Sequence, residues 1–172
     1  MSTEPTVQLS SVPSWKTSVL YGSVGAGLSL AAEEGAFSLM TRFGADCSSR
    51  ANYITMVDSL SGVHPLIRVV LKILAFVYLA VLFPIYEEWF FRDALWIEVK
   101  EEAPIYKGLR ITSNVAIYGA SRLSPVGGVV NLIAFVGAVA EGVVFAALRE
   151  WSGSWKVPAV AHVLHSSVRL VF

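Results

Sequence analysis

Cysteine and charge are scarce in this sequence, and both shortages narrow what the chain can be. The single cysteine, Cys47, excludes an internal disulfide and leaves no cysteine pair for a zinc or redox centre. Charged residues make up 15% of the 172 residues, against roughly 25% in ordinary soluble proteins, whereas apolar residues reach 55%. Thirteen basic residues balance thirteen acidic ones, so no positive excess indicates a nucleic-acid partner. The composition therefore predicts an integral membrane protein in contact with lipid.

The apolar residues are gathered into long segments that predict an all-α fold. Open sheets cannot expose unpaired backbone to lipid, and the alternating ten-residue pattern of a membrane barrel is absent. Lysine and arginine are spread too evenly between the loops for the positive-inside rule to choose an orientation. We predict a multi-pass helical membrane bundle of four to five transmembrane helices, formed from the apolar segments 19–40, 69–86, 111–123, 126–148 and 157–172.

One domain with a polar N-terminal extension accounts for the length of the chain. Residues 1–16 are rich in Ser, Thr and Pro and predict a flexible N-terminus, and residues 17–172 predict a single helical transmembrane domain. The first apolar segment, preceded by Lys16, also has features of a cleaved signal peptide, although the further apolar segments favour a retained span. Polar segments at 41–65 and 98–110 predict loops between helices.

Ionisable side chains in apolar segments are candidates for function, because each costs at least roughly 2.5–3.5 kcal/mol at the centre of a membrane helix. Glu87, Glu88 and Arg92 follow the second apolar segment at once. Glu88 and Arg92 stand four residues apart, so on a helix they share a face and can form an ion pair. Glu87 points about 100° away without that counter-ion, which suits a general base. The alternative is that these charges simply end the span at the interface.

A second polar face, on the last apolar segment, favours the functional interpretation. His162, His165 and Ser166 are spaced by three and four residues, so one helical face carries all three. Polar groups in lipid are tolerated when they pair with one another. We therefore expect the glutamates and the histidines to meet below the lipid surface.

The two polar clusters together resemble the signature of the CAAX protease and bacteriocin-processing enzymes, also called the Abi family. Residues 84–92, with the sequence PIYEEWFFR, are similar to the family's Glu-Glu-x-x-x-Arg motif. Downstream, Gly142, the Ser-Gly-Ser turn at 152–154 and His162 are similar to the family's last two helices. The resemblance covers about residues 79–172. It implies an all-α intramembrane endopeptidase that acts on a membrane-associated peptide or protein.

The resemblance also implies a role for each site residue. Glu87 would activate the hydrolytic water, Glu88 and Arg92 would orient Glu87, and His162 would position water or stabilise the oxyanion. Participation of a divalent metal ion such as zinc stays open, since glutamate and histidine can activate water without one. The candidate metal ligands are Glu87, His162 and His165.

Two positions depart from the family pattern and leave the function open. The second motif, Phe-x-x-x-His, aligns with Tyr118 to Arg122, and the third, His-x-x-x-Asn or Asp, ends here at Ser166. Arginine stays protonated, so Arg122 can stabilise an oxyanion but cannot shuttle a proton or bind a metal ion. Three functions follow: a peptidase using glutamate-activated water; an inactive relative that acts as a membrane binding, immunity or regulatory protein; and a small transporter or assembly subunit that uses Glu141, Asn131 and the histidines.

Three further residues receive simpler interpretations. Tyr118 is predicted to belong to the core. Glu141, alone in an apolar segment, is predicted to pair with a basic group or to face a watery crevice. The Glu33-Glu34 pair does not repeat the family motif, because Ser38 stands where the motif has arginine.

Overall fold

The structure, a computed structural model, describes residues 13–45, 62–96, 104–123 and 128–171. Within these ranges the backbone forms five helices and no strand, which confirms the all-α prediction. We number the helices in chain order: α1, Trp15–Arg42; α2, Pro65–Ala94; α3, Pro104–Ala120; α4, Gly128–Ser152; and α5, Lys156–Val171.

Helices α1, α2 and α3 begin before the apolar segments that predict them, at Trp15, Pro65 and Pro104. Helix α1 starts at Trp15, inside the predicted flexible N-terminus, because the Ser14 hydroxyl caps it by accepting a hydrogen bond from the Thr17 amide at 3.2 Å. Helix α3 starts at Pro104, inside a predicted loop, since proline fits a first helical turn, where its missing N–H costs no bond. The remaining parts of the predicted N-terminus and loops, residues 1–12, 46–61 and 97–103, lie outside the described residues.

Helix α2 is widened on both sides of its two adjacent glutamates. Turns of π-helix at Val77–Leu82 and Phe90–Ala94 flank the α-helical stretch Phe83–Trp89. Pro84 has no amide to bond the carbonyl four residues earlier, and its ring crowds that carbonyl, so the wider preceding turn accommodates it. Such π turns often occur at functional sites. One face of this region points inward, and its buried residues are Ala80, Pro84, Glu87, Glu88, Phe91 and Arg92.

Helix α1 packs closely against α4 and α5. A Cβ added at Gly22 would lie 2.6 Å from Val160 Cβ, and one added at Gly25 would lie 2.4 Å from Leu148 Cδ1. Small residues at these positions let the helix backbones approach, as is usual between helices in lipid. This packing makes α1 part of the bundle.

A tight turn joins α4 to α5 and sets the direction of the last helix. Gly153 adopts a φ of +66°, a left-handed conformation that glycine reaches without strain, and its amide donates to the Arg149 carbonyl at 3.0 Å. The Ser154 hydroxyl then accepts a hydrogen bond from the Lys156 amide at 3.3 Å at the start of α5. Helix α5 consequently runs back along α4 and also contacts the central part of α2.

Within the ranges that the structure describes, two helices are long and apolar enough to cross a membrane, namely Pro65–Ala94 and Leu132–Ser152. Helices α3 and α5, with 17 and 16 residues, are shorter than the roughly 20 residues of a typical span. The first part of α2, Pro65–Phe76, contains no buried residue. Large apolar side chains on this part face outward, namely Leu66, Ile67, Val69, Val70, Ile73 and Leu74.

Candidate active site

The inward face of α2 brings two opposite charges together, as their spacing predicts. Arg92 Nε lies 3.6 Å from Glu88 Oε2, and both side chains are fully buried. Arg92 Nη1 donates a hydrogen bond to the Asn114 side-chain oxygen on α3, and Arg92 Nη2 donates to the Gly142 carbonyl on α4 at 3.3 Å. Asn114 in turn donates to the Phe91 carbonyl at 2.5 Å. Contacts from three helices thus hold the guanidinium beside Glu88.

His162 on α5 completes this buried group. Its Nδ1 lies 3.0 Å from Glu88 Oε1, a distance at which an Nδ1–H donates to a carboxylate oxygen. His162 Nε2 lies 3.8 Å from Glu87 Oε2. The ring also stacks on Phe145, with the ring centroids 4.8 Å apart. Glu88 and Phe145 therefore orient the imidazole so that Nε2 faces Glu87.

Glu87 has a counter-ion, contrary to the expectation from sequence. Arg122 Nη2 donates to Glu87 Oε2 at 2.6 Å, and this is the oxygen that faces His162. Arg122 stands 35 positions later in the chain, just after α3, so helical spacing along α2 could not reveal the pair. We use the term Glu87 pocket for the five side chains that meet here: Glu87, Glu88, Arg92, Arg122 and His162.

Two further residues contribute to the pocket. Tyr118 is fully buried, as predicted, but its hydroxyl accepts a hydrogen bond from Arg122 Nη2 at 3.0 Å and donates one to Glu141 Oε2 at 3.3 Å. No motif predicts the role of Asn114, and its signal in the sequence is an amide side chain within an apolar segment. Tyr118 and Asn114 therefore support Arg122 and Arg92 respectively.

His165 and Ser166 do not join the Glu87 pocket. His165 Nε2 lies 3.4 Å from Glu33 Oε2 and 3.4 Å from Glu141 Oε1, beside α1 and α4. Glu141 thus has a histidine partner, in line with the predicted pairing to a basic group. Ser166 is half-buried, one turn beyond His162, and within the described ranges no hydrogen bond connects it to the pocket.

Of the predicted metal ligands, Glu87 and His162 meet in the Glu87 pocket, but His165 lies beside Glu33 and Glu141 instead. The Glu87 oxygen that faces His162 already accepts a hydrogen bond of 2.6 Å from Arg122 Nη2. In the part of the chain that the structure describes, the three side chains whose ligand atoms all lie within 4.8 Å of one another are instead Glu33, Glu141 and His165. The Glu87 pocket therefore does not fit a metal ion, and its chemistry depends on the protein's own side chains.

Comparison with known proteins identifies one family. Residues 69–168 match the family model described as type II CAAX prenyl endopeptidase Rce1-like. This range covers more than half of the chain and contains every side chain of the Glu87 pocket, but it begins after α1. No curated protein and no solved structure matches the chain.

Proposed function

The chain belongs to the type II CAAX prenyl endopeptidase Rce1-like family, and we propose that it is a membrane peptidase that hydrolyses a peptide bond in or near the bilayer. The observation that carries the proposal is the approach of Glu87 Oε2 to His162 Nε2, 3.8 Å apart in a buried pocket. Two acceptors at this separation can hold one water molecule between them.

Hydrolysis begins with that water. Glu87 Oε2 and His162 Nε2 can each accept one of its hydrogens at about 2.8 Å, which leaves an oxygen lone pair free for the substrate carbonyl carbon. Glu87 takes the proton as the new C–O bond forms. The proton then passes to the amine that leaves when the C–N bond breaks. Glu88 and Arg92 are positioning residues, because Glu88 holds His162 Nδ1 and Arg92 holds Glu88, and neither touches the reacting atoms.

Arg122 supports the step in which negative charge develops on the substrate oxygen. Its side chain is 29% exposed, so it reaches the edge of the pocket, and a guanidinium has five N–H donors. The contacts with Glu87 and Tyr118 use Nη2, and no hydrogen bond among the described residues uses the other donors, which would bind an oxyanion in this proposal. Arginine thereby replaces the histidine of the family's second motif in a charge-stabilising role but not in proton transfer.

The same arginine supports a second candidate, a non-catalytic relative that binds a membrane partner as an immunity or regulatory protein. The 2.6 Å contact occupies the Glu87 oxygen that hydrolysis needs, and arginine cannot accept a proton from water. The transporter or assembly-subunit alternative has no comparable support. Glu141 and His165 pair with each other, and the side chain of Asn131 lies outside the described residues.

We also propose that four to five helices lie in the bilayer, so that the protein is multi-pass. Helices α2 and α4 are each long and apolar enough to span it. Helix α1 has 28 residues and exposes large apolar side chains, among them Leu20, Val24 and Leu28. The shorter α3 and α5 would cross the bilayer only in part or where it is locally thinned, packed against α4. Lipids and a membrane-associated peptide or protein are the partners that this topology predicts.

The peptidase proposal is tested with a peptide that ends in a prenylated Cys-a-a-X sequence, the substrate class in the family name. The purified protein in lipid vesicles is incubated with the peptide, and the released tripeptide is measured by mass spectrometry. The substitution Glu87→Gln keeps the shape but removes the base, so the rate should fall on the order of 10²–10⁴-fold. Glu34→Gln changes a half-exposed glutamate on α1 and should leave the rate unchanged. Hydrolysis that persists in E87Q would exclude the proposed mechanism.

The substitution Arg122→His separates the two candidates. Histidine at this position can accept and donate protons, so a chain inactive because of Arg122 should gain hydrolysis. A chain that already uses Arg122 to stabilise the oxyanion should lose rate instead. If neither the unchanged protein nor R122H cleaves the peptide, the binding candidate is favoured.

A further inference from the structure

A second polar cluster lies between α1, α4 and α5, separate from the Glu87 pocket. It consists of Glu33 from α1, Glu141 from α4 and His165 from α5, and their ligand atoms all lie within 4.8 Å of one another. Glu33 and His165 are 6% and 3% exposed. Glu33 lies outside the residues that match the family, whereas Glu141 and His165 lie within them.

The orientation of His165 is fixed by a serine on α1. The Ser29 hydroxyl donates to the Ala26 carbonyl at 3.0 Å, so its oxygen is left to accept, and His165 Nδ1 lies 2.7 Å from it. Nδ1 therefore carries a hydrogen, and Nε2 is the ring atom directed at the two carboxylates. Histidines that bind metal ions through one nitrogen are usually held in this way by a hydrogen bond from the other.

The distances from His165 Nε2 to the two carboxylates distinguish a direct hydrogen bond from a bound ion. Nε2 is 3.4 Å from Glu33 Oε2 and 3.4 Å from Glu141 Oε1. Charge-assisted hydrogen bonds from an imidazolium would be about 2.7–2.9 Å long. In contrast, a tetrahedral zinc ion with bonds of about 2.0–2.2 Å separates its ligand atoms by roughly 3.4 Å. The spacing thus fits ligands around an ion better than a direct hydrogen bond.

In the part of the chain that the structure describes, the contacts of Glu33 and Glu141 with other side chains leave part of their negative charge without a partner. Glu33 Oε1 accepts a hydrogen bond from Arg169 Nη2 at 3.3 Å. Glu33 Oε2 is fully buried and accepts no hydrogen bond of normal geometry among the described residues, although Arg169 Nε lies 3.2 Å from it. The positive charge of Arg169, which is partly exposed, offsets the negative charge of Glu33. The charge of Glu141, which receives a hydrogen bond from Tyr118 at 3.3 Å, still needs a cation near Nε2.

We propose that Glu33, Glu141 and His165 form a binding site for a divalent transition-metal ion, with zinc matching one imidazole and two carboxylates best. The site draws its ligands from three helices, so a bound ion would clamp α1 to α4 and α5. Imidazole and carboxylate are both common zinc ligands, and three protein ligands leave a fourth tetrahedral position for water. This proposal does not depend on peptidase activity.

The test measures zinc binding directly. The purified full-length protein in detergent is stripped with a chelator, dialysed against Zn²⁺, and analysed for bound metal. We expect about one zinc ion per chain, together with a zinc-dependent rise in melting temperature, because a ligand that binds the folded state stabilises it. Glu141→Gln should weaken zinc binding at least about tenfold and remove the rise in melting temperature.

Two control variants locate the ion. Glu34→Gln alters the neighbouring glutamate outside the cluster, and Glu87→Gln alters the other pocket; both should keep stoichiometric zinc. Ser29→Ala keeps all three ligands but releases Nδ1, so affinity should fall about 10–100-fold even if E141Q fails to fold. Absence of stoichiometric zinc, unchanged affinity in S29A, or loss of zinc in E87Q would each overturn the proposal. A protonated His165 would then be the cation between the two glutamates.

Discussion

At the residue scale, the fully buried guanidinium of Arg92 is tolerated because it contacts the Asn114 side chain, the Gly142 carbonyl and the Glu88 carboxylate. An unpaired buried charge costs several kcal/mol, so its partners matter more than its own contact with Glu88. Asn114 is the partner that connects it to α3, and the same side chain also satisfies the Phe91 carbonyl. Loss of Asn114 would therefore disturb both Arg92 and the backbone beside it.

The substitution Asn114→Ala tests this support. It removes the acceptor of Arg92 Nη1 and the donor to the Phe91 carbonyl, and each unsatisfied buried group costs about 1–3 kcal/mol. We expect the free energy of unfolding in mixed micelles to fall by roughly that amount or more. Ser113→Ala is the matched control, because the exposed Ser113 hydroxyl bonds only to the Arg110 carbonyl of its own helix. Equal stability of N114A and S113A would contradict the structural role of Asn114.

At the scale of whole helices, α1 contributes both a side chain and a packing surface. This helix lies outside the family match, yet it supplies Glu33 to the second polar cluster and packs on both α4 and α5. The approach depends on glycine, because the space beside Gly25 is already filled by Leu148. On the opposite, exposed side, Gly27 has no atom within 4 Å of an added Cβ.

Gly25→Val and Gly27→Val compare these two sides directly. Valine has the same low helix propensity at both positions, so the difference between the variants reports packing. We expect G25V to lower the free energy of unfolding by about 1–3 kcal/mol relative to G27V, through overpacking against Leu148. The measurement is unfolding in mixed micelles followed by circular dichroism. If both variants unfold alike, α1 does not pack as described.

The whole molecule has an arrangement that suits lipid rather than water. Its described interior contains charged and imidazole side chains, whereas much of its outer surface is apolar. The buried charged and imidazole residues are Glu33, Glu87, Glu88, Arg92, Arg149, His162 and His165. Polar groups can gather inside because they satisfy one another, and lipid makes apolar groups outside favourable.

A matched pair of substitutions distinguishes a lipid-facing surface from a water-facing one. Ile73 on α2 and Ile105 at the start of α3 are both exposed, at 58% and 67%. In lipid, Ile73→Asp should cost roughly 2.5–3.5 kcal/mol, whereas an exposed substitution in water changes stability by about 0.5 kcal/mol or less. Ile105→Asp lies next to the charged segment and should be mild, since an acid near a helix N-terminus is favourable. Membrane association of each variant is measured by carbonate extraction, and its stability by unfolding in micelles. Equal behaviour of I73D and I105D would contradict the lipid-facing assignment.

The predictions from sequence were correct where they concerned residues within one helix, close together in the chain. Glu88 and Arg92 share a face because four residues make about one helical turn, and the pair is present. The family resemblance carried by residues 84–92 and His162 is confirmed by the family match. The prediction that Glu87 lacks a counter-ion was wrong, because its partner Arg122 reaches it from another helix. His165 was grouped with His162 by spacing, but three residues of separation let the two rings face different neighbours.

The sequence by itself determined that the chain is helical, suited to lipid and equipped with glutamate and histidine clusters, because periodicity and polarity along one segment are local properties. Only the tertiary structure decided which charges meet. Arg122 is placed against Glu87, and Glu33 and Glu141 are placed against His165, by the docking of helices that are far apart in the chain. Such contacts depend on the angle and depth at which helices pack, which glycines such as Gly25 permit and no single segment specifies.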